Sequence, residues 1–367
     1  MNNLTIISSQ KNWLEQDAVI HLKKLCTLEG VVKAAGLPDL HPGKTPVGCT
    51  IITEDMIYPH LIGNDIGCGM SIYTTSIEKR KIKTDKIIKK LESIASLKEI
   101  ELPDDSGLDP TSSPLGQSLG TIGGGNHFAE FQEVNEIFDE DRFKSLGFDK
   151  GHITLLVHSG SRGFGQAVLD ESIRLYEAQK GLPISSDAAR NYLSKHDDAV
   201  KWALINRDMI SYRILKAVGA GTENERLLDS CHNSITMKEL DQKQHYIHRK
   251  GASPSDTGAV IIPGSRGSLS YLVMPKDNTE TSCYSLAHGA GRKWERSLCK
   301  SRLQGKYTRE SIKSTALKSR VICSDNSLLF EEAPEAYKNV DTVIQSLLDF
   351  ELIDIIATFK PIITYKA

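Results

Sequence analysis

Gly63-Asn64-Asp65-Ile66-Gly67-Cys68-Gly69-Met70 sets a carboxylate and a thiol three residues apart in a loop bent by glycines at 63, 67 and 69. Such a loop can turn both side chains toward one point, where a thiolate and a carboxylate suit a soft or borderline divalent metal. An ordinary turn with a small buried cysteine accounts for the octapeptide equally well. What else the chain sends to that point decides between them.

The chain has 367 residues, 39% hydrophobic and 25% charged, the composition of an ordinary soluble globular protein. At this length one large domain and two domains are both open. No run approaches the roughly 18 apolar residues of a membrane span, and the N-terminus lacks the charged and apolar regions of a signal peptide. The seven cysteines are dispersed without a CxxC, which speaks against a disulfide framework and for a reducing, cytoplasmic setting. A net charge of −2 gives no global attraction to nucleic acid, so any RNA or DNA site would have to be a local patch.

Working outward, Val31 to Ala35 read as a strand and residues 36–43 as the loop after it, placing Asp39 and His41 where loops often do chemistry. A turn-stabilising Asp beside Pro38 is the plainer alternative. Val47 to Ile52 form a second strand. Residues 76–100 read as an amphipathic helix with a basic, solvated outer face, and 103–118 as a loop. Gly123-Gly124-Gly125 precede Asn126 and His127, with Glu130 close behind, so the backbone there can approach a phosphate or a metal. The strand from Ile153 to Val157 delivers His158, and Arg162 follows four residues later as a candidate phosphate clamp. Residues 185–218 form a long scaffold helix, capped by Ser185 or Ser186 and ended by Gly219 and Gly221. His232 falls in a polar Cys-His-Asn loop, and Ala259 to Ile262 form a strand that runs into Pro263-Gly264-Ser265-Arg266.

Tyr284 to Ala287 read as a strand that sets His288 in a turn of small residues where a helix begins, a good place for an anion. From 292 to 320 ten basic residues face only Glu295 and Glu310, an excess of eight positive charges that favours a polyanionic substrate. An amphipathic helix around 338–349 follows. Asp65, Cys68, His127, His158 and His232 make five metal-capable side chains in Gly- or Ser-containing loops near strand ends. Five exceed what one tetrahedral ion needs, so two ions sharing Cys68 is the natural reading.

Taken together, Pro38-Asp39-x-His41, Asp65-Ile66-Gly67-Cys68-Gly69, Gly124-Gly125-Asn126-His127-Phe128-x-Glu130, His158-Ser159-Gly160-Ser161-Arg162-Gly163, Pro263-Gly264-Ser265 and His288-Gly289-Ala290-Gly291-Arg292 resemble the RtcB family of RNA ligases. The resemblance runs from about residue 30 to Lys366. It implies one mixed α/β domain over 1–367, with a β-sandwich-like core and surrounding helices. It also implies GTP- and Mn²⁺-dependent joining of an RNA 3′-phosphate or 2′,3′-cyclic phosphate to a 5′-hydroxyl.

In that resemblance His288 is the guanylylated histidine, and Asp65, Cys68, His127, His158 and His232 are the metal ligands. Asn126, Glu130, Asn233, Pro263, Gly264, Ser265, Ser270, Gly289, Gly291 and Lys366 contact guanylate. Asp39 is the candidate acceptor for the second ring nitrogen of His288. Arg162, Arg292 and Arg296 are candidates for RNA phosphates. Zn²⁺ competes with Mn²⁺ for such N and S donors. Glu295 stands where the family usually has Ser, and Arg266 where it usually has Met; Glu295 is expected to face away from the phosphate site. Cys231-His232-Asn233 lacks the doubled His of many members, and the chain is shorter than many relatives. These departures resemble the bacterial branch found beside a release-factor-like protein, PrfH. The implied partners are broken tRNA or rRNA, with a PrfH-like factor and the ribosome. Two other readings stay open: a metal-dependent RNA-end phosphatase or cyclic phosphodiesterase, and a non-catalytic RNA- or ribosome-binding subunit.

Overall fold

The computed structural model describes residues 3–103 and 116–366, so most of the loop expected at 103–118 lies outside the described residues. In chain order the first strands are β1 (Leu4–Ile6), β2 (Val31–His41), β3 (Val47–Thr53), β4 (Met56–Ile57), β5 (Gly69–Tyr73), β6 (Phe128–Ile137), β7 (Thr154–Ser159), β8 (Leu182–Pro183) and β9 (Arg226–Cys231). They continue as β10 (Asn233–Leu240), β11 (Lys243–Lys250), β12 (Ala252–Pro254), β13 (Val260–Pro263), β14 (Ser270–Pro275), β15 (Ser285–Ala287), β16 (Arg320–Ile322) and β17 (Ile353–Tyr365). One sheet runs β1–β2–β3–β11–β10. A larger one runs β13–β14–β17–β6–β7–β5–β9, with β16 beside β17. Ile7 and Leu37, at the smaller sheet, share an apolar cluster with Val260, Val273 and Ile353 of the larger one. This is a mixed α/β fold with a sandwich-like core, as the sequence led one to expect.

The register of the large sheet lines up chemistry. Gly69 of β5 pairs with Cys231 of β9 on one side and Ser159 of β7 on the other, and Phe128 of β6 pairs with His158. Four adjacent strands therefore present His232, Cys68, His158 and His127 at the same end. Because neighbouring strands lie about 4.8 Å apart, side chains at matched register positions converge without any loop having to search for them.

The scaffold helix holds that end in place. It spans Asp187–Val218; Ser186 caps it by accepting from the Ala189 amide, and Gly219 ends it in the left-handed conformation. Its buried Arg207 donates to the carbonyls of Gly67 at 2.8 Å and Ser159 at 2.9 Å, and pairs with Asp229. Asn206, beside it, donates to Ser159 and Gly160 and accepts from the Gly120 amide. The helix thus ties three chemical loops to one rod, a role its apolar pattern did not announce.

Several local expectations change. Of residues 36–43 only the last two leave the sheet: β2 runs to His41 through a bulge, its partners jumping from Gly36–Cys49 to His41–Val47. Leu37 and Leu40 are both fully buried in different apolar clusters, which keeps the backbone on the sheet and leaves Asp39 between them. His232 is a single residue between β9 and β10, not part of a polar loop; its amide donates to the Cys68 carbonyl. Only Thr84–Glu92 of the stretch 76–100 is α-helical, because Ile77 and Ile82 pack on the core and Glu78 bridges His152. No helix starts at His288; the next one is Arg296–Leu303. The backbone between them is pinned instead, with the Lys293 and Trp294 amides donating to Ala336 and the Lys338 amide to Gly291.

Candidate active site

Cys68 lies at the centre of the converging side chains. Its Sγ is 3.3 Å from His127 Nε2 and 3.2 Å from His158 Nε2, while His158 Nε2 is 3.3 Å from His232 Nε2. On the other flank, His127 Nε2 is 2.9 Å from Asp65 Oδ2. These contacts run as a chain, Asp65–His127–Cys68–His158–His232, with the sulfur in the middle. His158 Nδ1 faces the Asn126 carbonyl at 3.2 Å, so that nitrogen carries the proton and Nε2 offers its lone pair to the cluster.

The electrostatics agree with a cation site. Burial, reinforced by the neighbouring rings, holds His158 and His232 well below the ordinary histidine value, so both are neutral donors. Burial and then the Asp65 charge push the Cys68 thiol well above its usual range; a cation would reverse that balance. Nitrogen, sulfur and one carboxylate facing inward at these distances fit a divalent metal, and these residues could hold it. Among the described residues, the ligand atoms of Cys68, His127 and His158 all lie within 4.8 Å of one another.

His288 follows β15 beside this cluster, its ring centroid 4.7 Å from that of His232. Its Nδ1 lies 2.6 Å from Asp39 Oδ2, and its backbone amide donates to the same oxygen at 3.2 Å. Asp39 is wholly buried, and two glycines make room for it. A Cβ on Gly48 would fall 2.8 Å from Asp39 Oδ1 and one on Gly291 2.5 Å from the Asp39 carbonyl oxygen, and both glycines have positive φ. The carboxylate that the sequence placed in a loop therefore reaches His288 from the β2 bulge.

A cavity of about 830 Å³ opens over His288 and the cluster. Asn126, Glu130, Asn233, Pro263, Gly264, Ser265, Gly289, Gly291 and Lys366 line it; Ser270 does not, but its hydroxyl accepts from Gln132, which also donates to Glu130. Asn233 is already engaged, donating to the Asp65 carbonyl and accepting from the Gly251 amide. Burial raises Glu130 to about 7 against the hydrogen bonds of Thr364 and Gln132. Burial lowers Lys366 to about 8, opposed by Glu332, and its ammonium donates to the His127 carbonyl.

The three arginines divide. Arg292 is committed to structure: it pairs with Glu332 at 2.9 Å and donates to the Glu331 carbonyl and Tyr337, so it is not free to clamp a phosphate. Arg162 packs against Gly123 and does not line the cavity, though it is within electrostatic reach of Asp65. Arg296 is half exposed on the rim, its guanidinium 3.5 Å from Glu332. Glu295, expected to face away, is exposed but borders the cavity.

Sequence reasoning missed Glu332 and Lys250. Burial would raise Glu332, but Lys366, Arg292 and Tyr337 together draw it below the ordinary carboxylate range, and it anchors that whole wall. Lys250 lines the cavity one residue from Gly251, and its ammonium has no hydrogen-bond or ion-pair partner among the described residues. Its Arg-Lys-Gly-Ala setting, beside the Asn233 partner Gly251, was the available signal.

The family described as tRNA-splicing ligase RtcB matches residues 21–101 and 104–367. RNA-splicing ligase RtcB2 of Escherichia coli is 44% identical over 98% of this chain and 94% of its own length. The tRNA-splicing ligase RtcB of Nanoarchaeum equitans is 28% identical over 96% and 92% respectively, and RNA-splicing ligase RtcB homolog 1 of Entamoeba dispar is 28% identical over 93% and 80%. The chain belongs to the RtcB family.

Proposed function

We propose that this protein is an RNA ligase that joins an RNA 3′-phosphate or 2′,3′-cyclic phosphate to a 5′-hydroxyl, using GTP and Mn²⁺. The observation that carries the reading is the 2.6 Å approach of Asp39 to His288 Nδ1 beside the five-donor cluster. A carboxylate accepting Nδ1–H fixes the tautomer in which Nε2 has a free lone pair, the form a nucleophile needs.

His288 Nε2 attacks the α-phosphorus of GTP; the N–P bond forms, the bond to the β-phosphate oxygen breaks, and pyrophosphate leaves. An RNA 3′-phosphate oxygen then takes the guanylate from His288, and the 5′-hydroxyl attacks the activated 3′-phosphorus and expels GMP. A cyclic end is first opened by water. Asp65, Cys68, His127, His158 and His232 would hold two ions about Cys68; bound there, Mn²⁺ or a competing Zn²⁺ supplies charge stabilisation to the phosphorus oxygens. Glu130, Lys366 and the 263–265 turn hold the nucleoside, and Arg296 reaches RNA phosphate. The chain acts as one catalytic domain in cytoplasmic RNA repair, on broken tRNA or rRNA, with a PrfH-like factor and the ribosome as its setting.

The test is incubation with α-labelled GTP and Mn²⁺. Acid-labile, base-stable label on the wild type, lost in His288→Ala, supports the reading. Label that persists in the variant moves the nucleophile elsewhere. Release of phosphate from RNA ends without joined product would favour a hydrolase instead.

A further inference from the structure

Trp13 is 67% exposed, yet it stands on a stiff mount at the mouth of the cavity. Asn12 before it is buried; its side chain donates to the Pro38 carbonyl at 2.8 Å, and its carbonyl accepts from Ser8. Leu14 after it packs into the apolar cluster around Leu22 and Leu40. Glu15 pairs with Lys338 at 2.9 Å, and Lys338 also donates to the Leu40 carbonyl. The segment is therefore fastened to both sides of Asp39 in the β2 bulge, and the indole between these anchors is left in water.

Single exposed apolar side chains are common and need no explanation. This one differs in place and support: it borders the cavity that holds His288, and it is not on a mobile tip. The other tryptophan on the rim, Trp294, already has cations over its ring, Arg302 at 4.9 Å and Lys293 at 5.4 Å. Lys293, Arg296 and Lys300 are exposed nearby in sequence, a cationic flank suited to a phosphate backbone. Trp13 lines the same cavity as the exposed Lys293 and Arg296, and an aromatic face sharing a groove with cations is the arrangement that receives an unpaired base of a strand.

We propose that Trp13 is a stacking platform for one unpaired base of the RNA, close to the end being joined. This rests on the RNA-ligase reading and adds to it a residue that grips the substrate by its base, not its phosphate. It makes the protein prefer ends that are single-stranded for at least one nucleotide.

The test is equilibrium binding of short 3′-phosphate RNAs to the intact protein, in matched pairs with a base or an abasic sugar at each of the last three positions. At one of these positions the wild type should bind the base-bearing RNA about tenfold more tightly than its abasic counterpart. Trp13→Ala should lose that preference while binding the abasic RNA as the wild type does, and Trp13→Phe should recover most of it. A wild type that binds both RNAs equally at all three positions overturns the proposal without any variant, and so does an equal loss on both RNAs in Trp13→Ala. Failure of the wild type to take label from GTP would sink the ligase reading instead, and is read in a separate assay.

Discussion

Asp39 engages His288 twice through one oxygen, Oδ2, which lies 2.6 Å from the ring Nδ1 and accepts the backbone amide at 3.2 Å. Both the tautomer and the direction of the imidazole thus depend on a side chain carried by a bulge in a different sheet. Asp39→Asn preserves the volume but supplies an amide that can support the wrong tautomer. Guanylylation of His288 should slow on the order of 100-fold or more with the KM for GTP little changed. Single-turnover label uptake measures this, and an unchanged rate would remove Asp39 from the chemistry.

In the two-ion reading Cys68, midway along the five donors, serves both ions, so Cys68→Ser should lower two metal occupancies together and abolish label uptake. Metal analysis after reconstitution, with Mn²⁺ alone and with Zn²⁺ added, reads the stoichiometry. Loss of one ion with the other retained would rule out a bridging sulfur.

Glu130 has its carboxyl raised to about 7 from 4.5, chiefly by burial. Ionised, it can accept two N–H groups from the edge of guanine, so the KM for GTP should fall as pH rises from about 6 to about 8. Glu130→Gln should flatten that dependence and bind GTP more weakly. The stability sign is opposite: burial favours the protonated acid, so its contribution is full below 4.5 and is lost as pH rises through about 7. Across that window the wild-type melting temperature should decline relative to Glu130→Gln; parallel curves would contradict the assignment.

The basic stretch 292–320 is less free than its count suggests, since Arg292 pairs with Glu332 and Lys306 with Glu335, both outside the stretch. Lys293 and Lys300 remain exposed. RNA affinity should fall with salt by about 0.7 log units per neutralised phosphate per log unit of salt. Self-guanylylation, which involves no RNA, should largely survive. Charge reversal at Lys293 and Lys300 should reproduce that split at low salt. Equal salt sensitivity of the two steps would argue against an RNA role for this face.

The residues that meet in the cavity were legible as types in sequence, because glycine and serine around Cys68, His127, His158 and His288 mark strand ends where backbone must turn. Their setting was less so. Asp39 looked like a loop residue since Pro38 and Gly36 break a strand pattern locally, but Leu37 and Leu40 find separate apolar partners and hold the bulge in the sheet. His232 looked like a loop residue because its neighbours are polar, whereas pairing across β5 decides its place. The same non-local effect hid Glu332, whose three cationic partners come from distant positions, and Arg207, whose carbonyl acceptors belong to the turn before β5 and to the end of β7. Charge counted along the chain overstated the basic patch for the same reason.

The placement of β17 has a consequence for how the protein is made. This strand comes after every other strand of the large sheet in the chain, yet it lies between β14 and β6 and brings Thr364 and Lys366 to the cavity. During synthesis β13–β14 and β6–β7–β5–β9 must wait as separate pieces, each with an unsatisfied edge, until the ribosome has released Ile353–Tyr365. Nascent chains stalled before Ile353 should be captured by chaperones or aggregate, and should not accumulate as smaller folded units. The cavity wall that Thr364 and Lys366 form would then close only once β17 has joined the sheet, so that a chain interrupted before Ile353 carries most of the cavity-lining side chains without the sheet that holds them together.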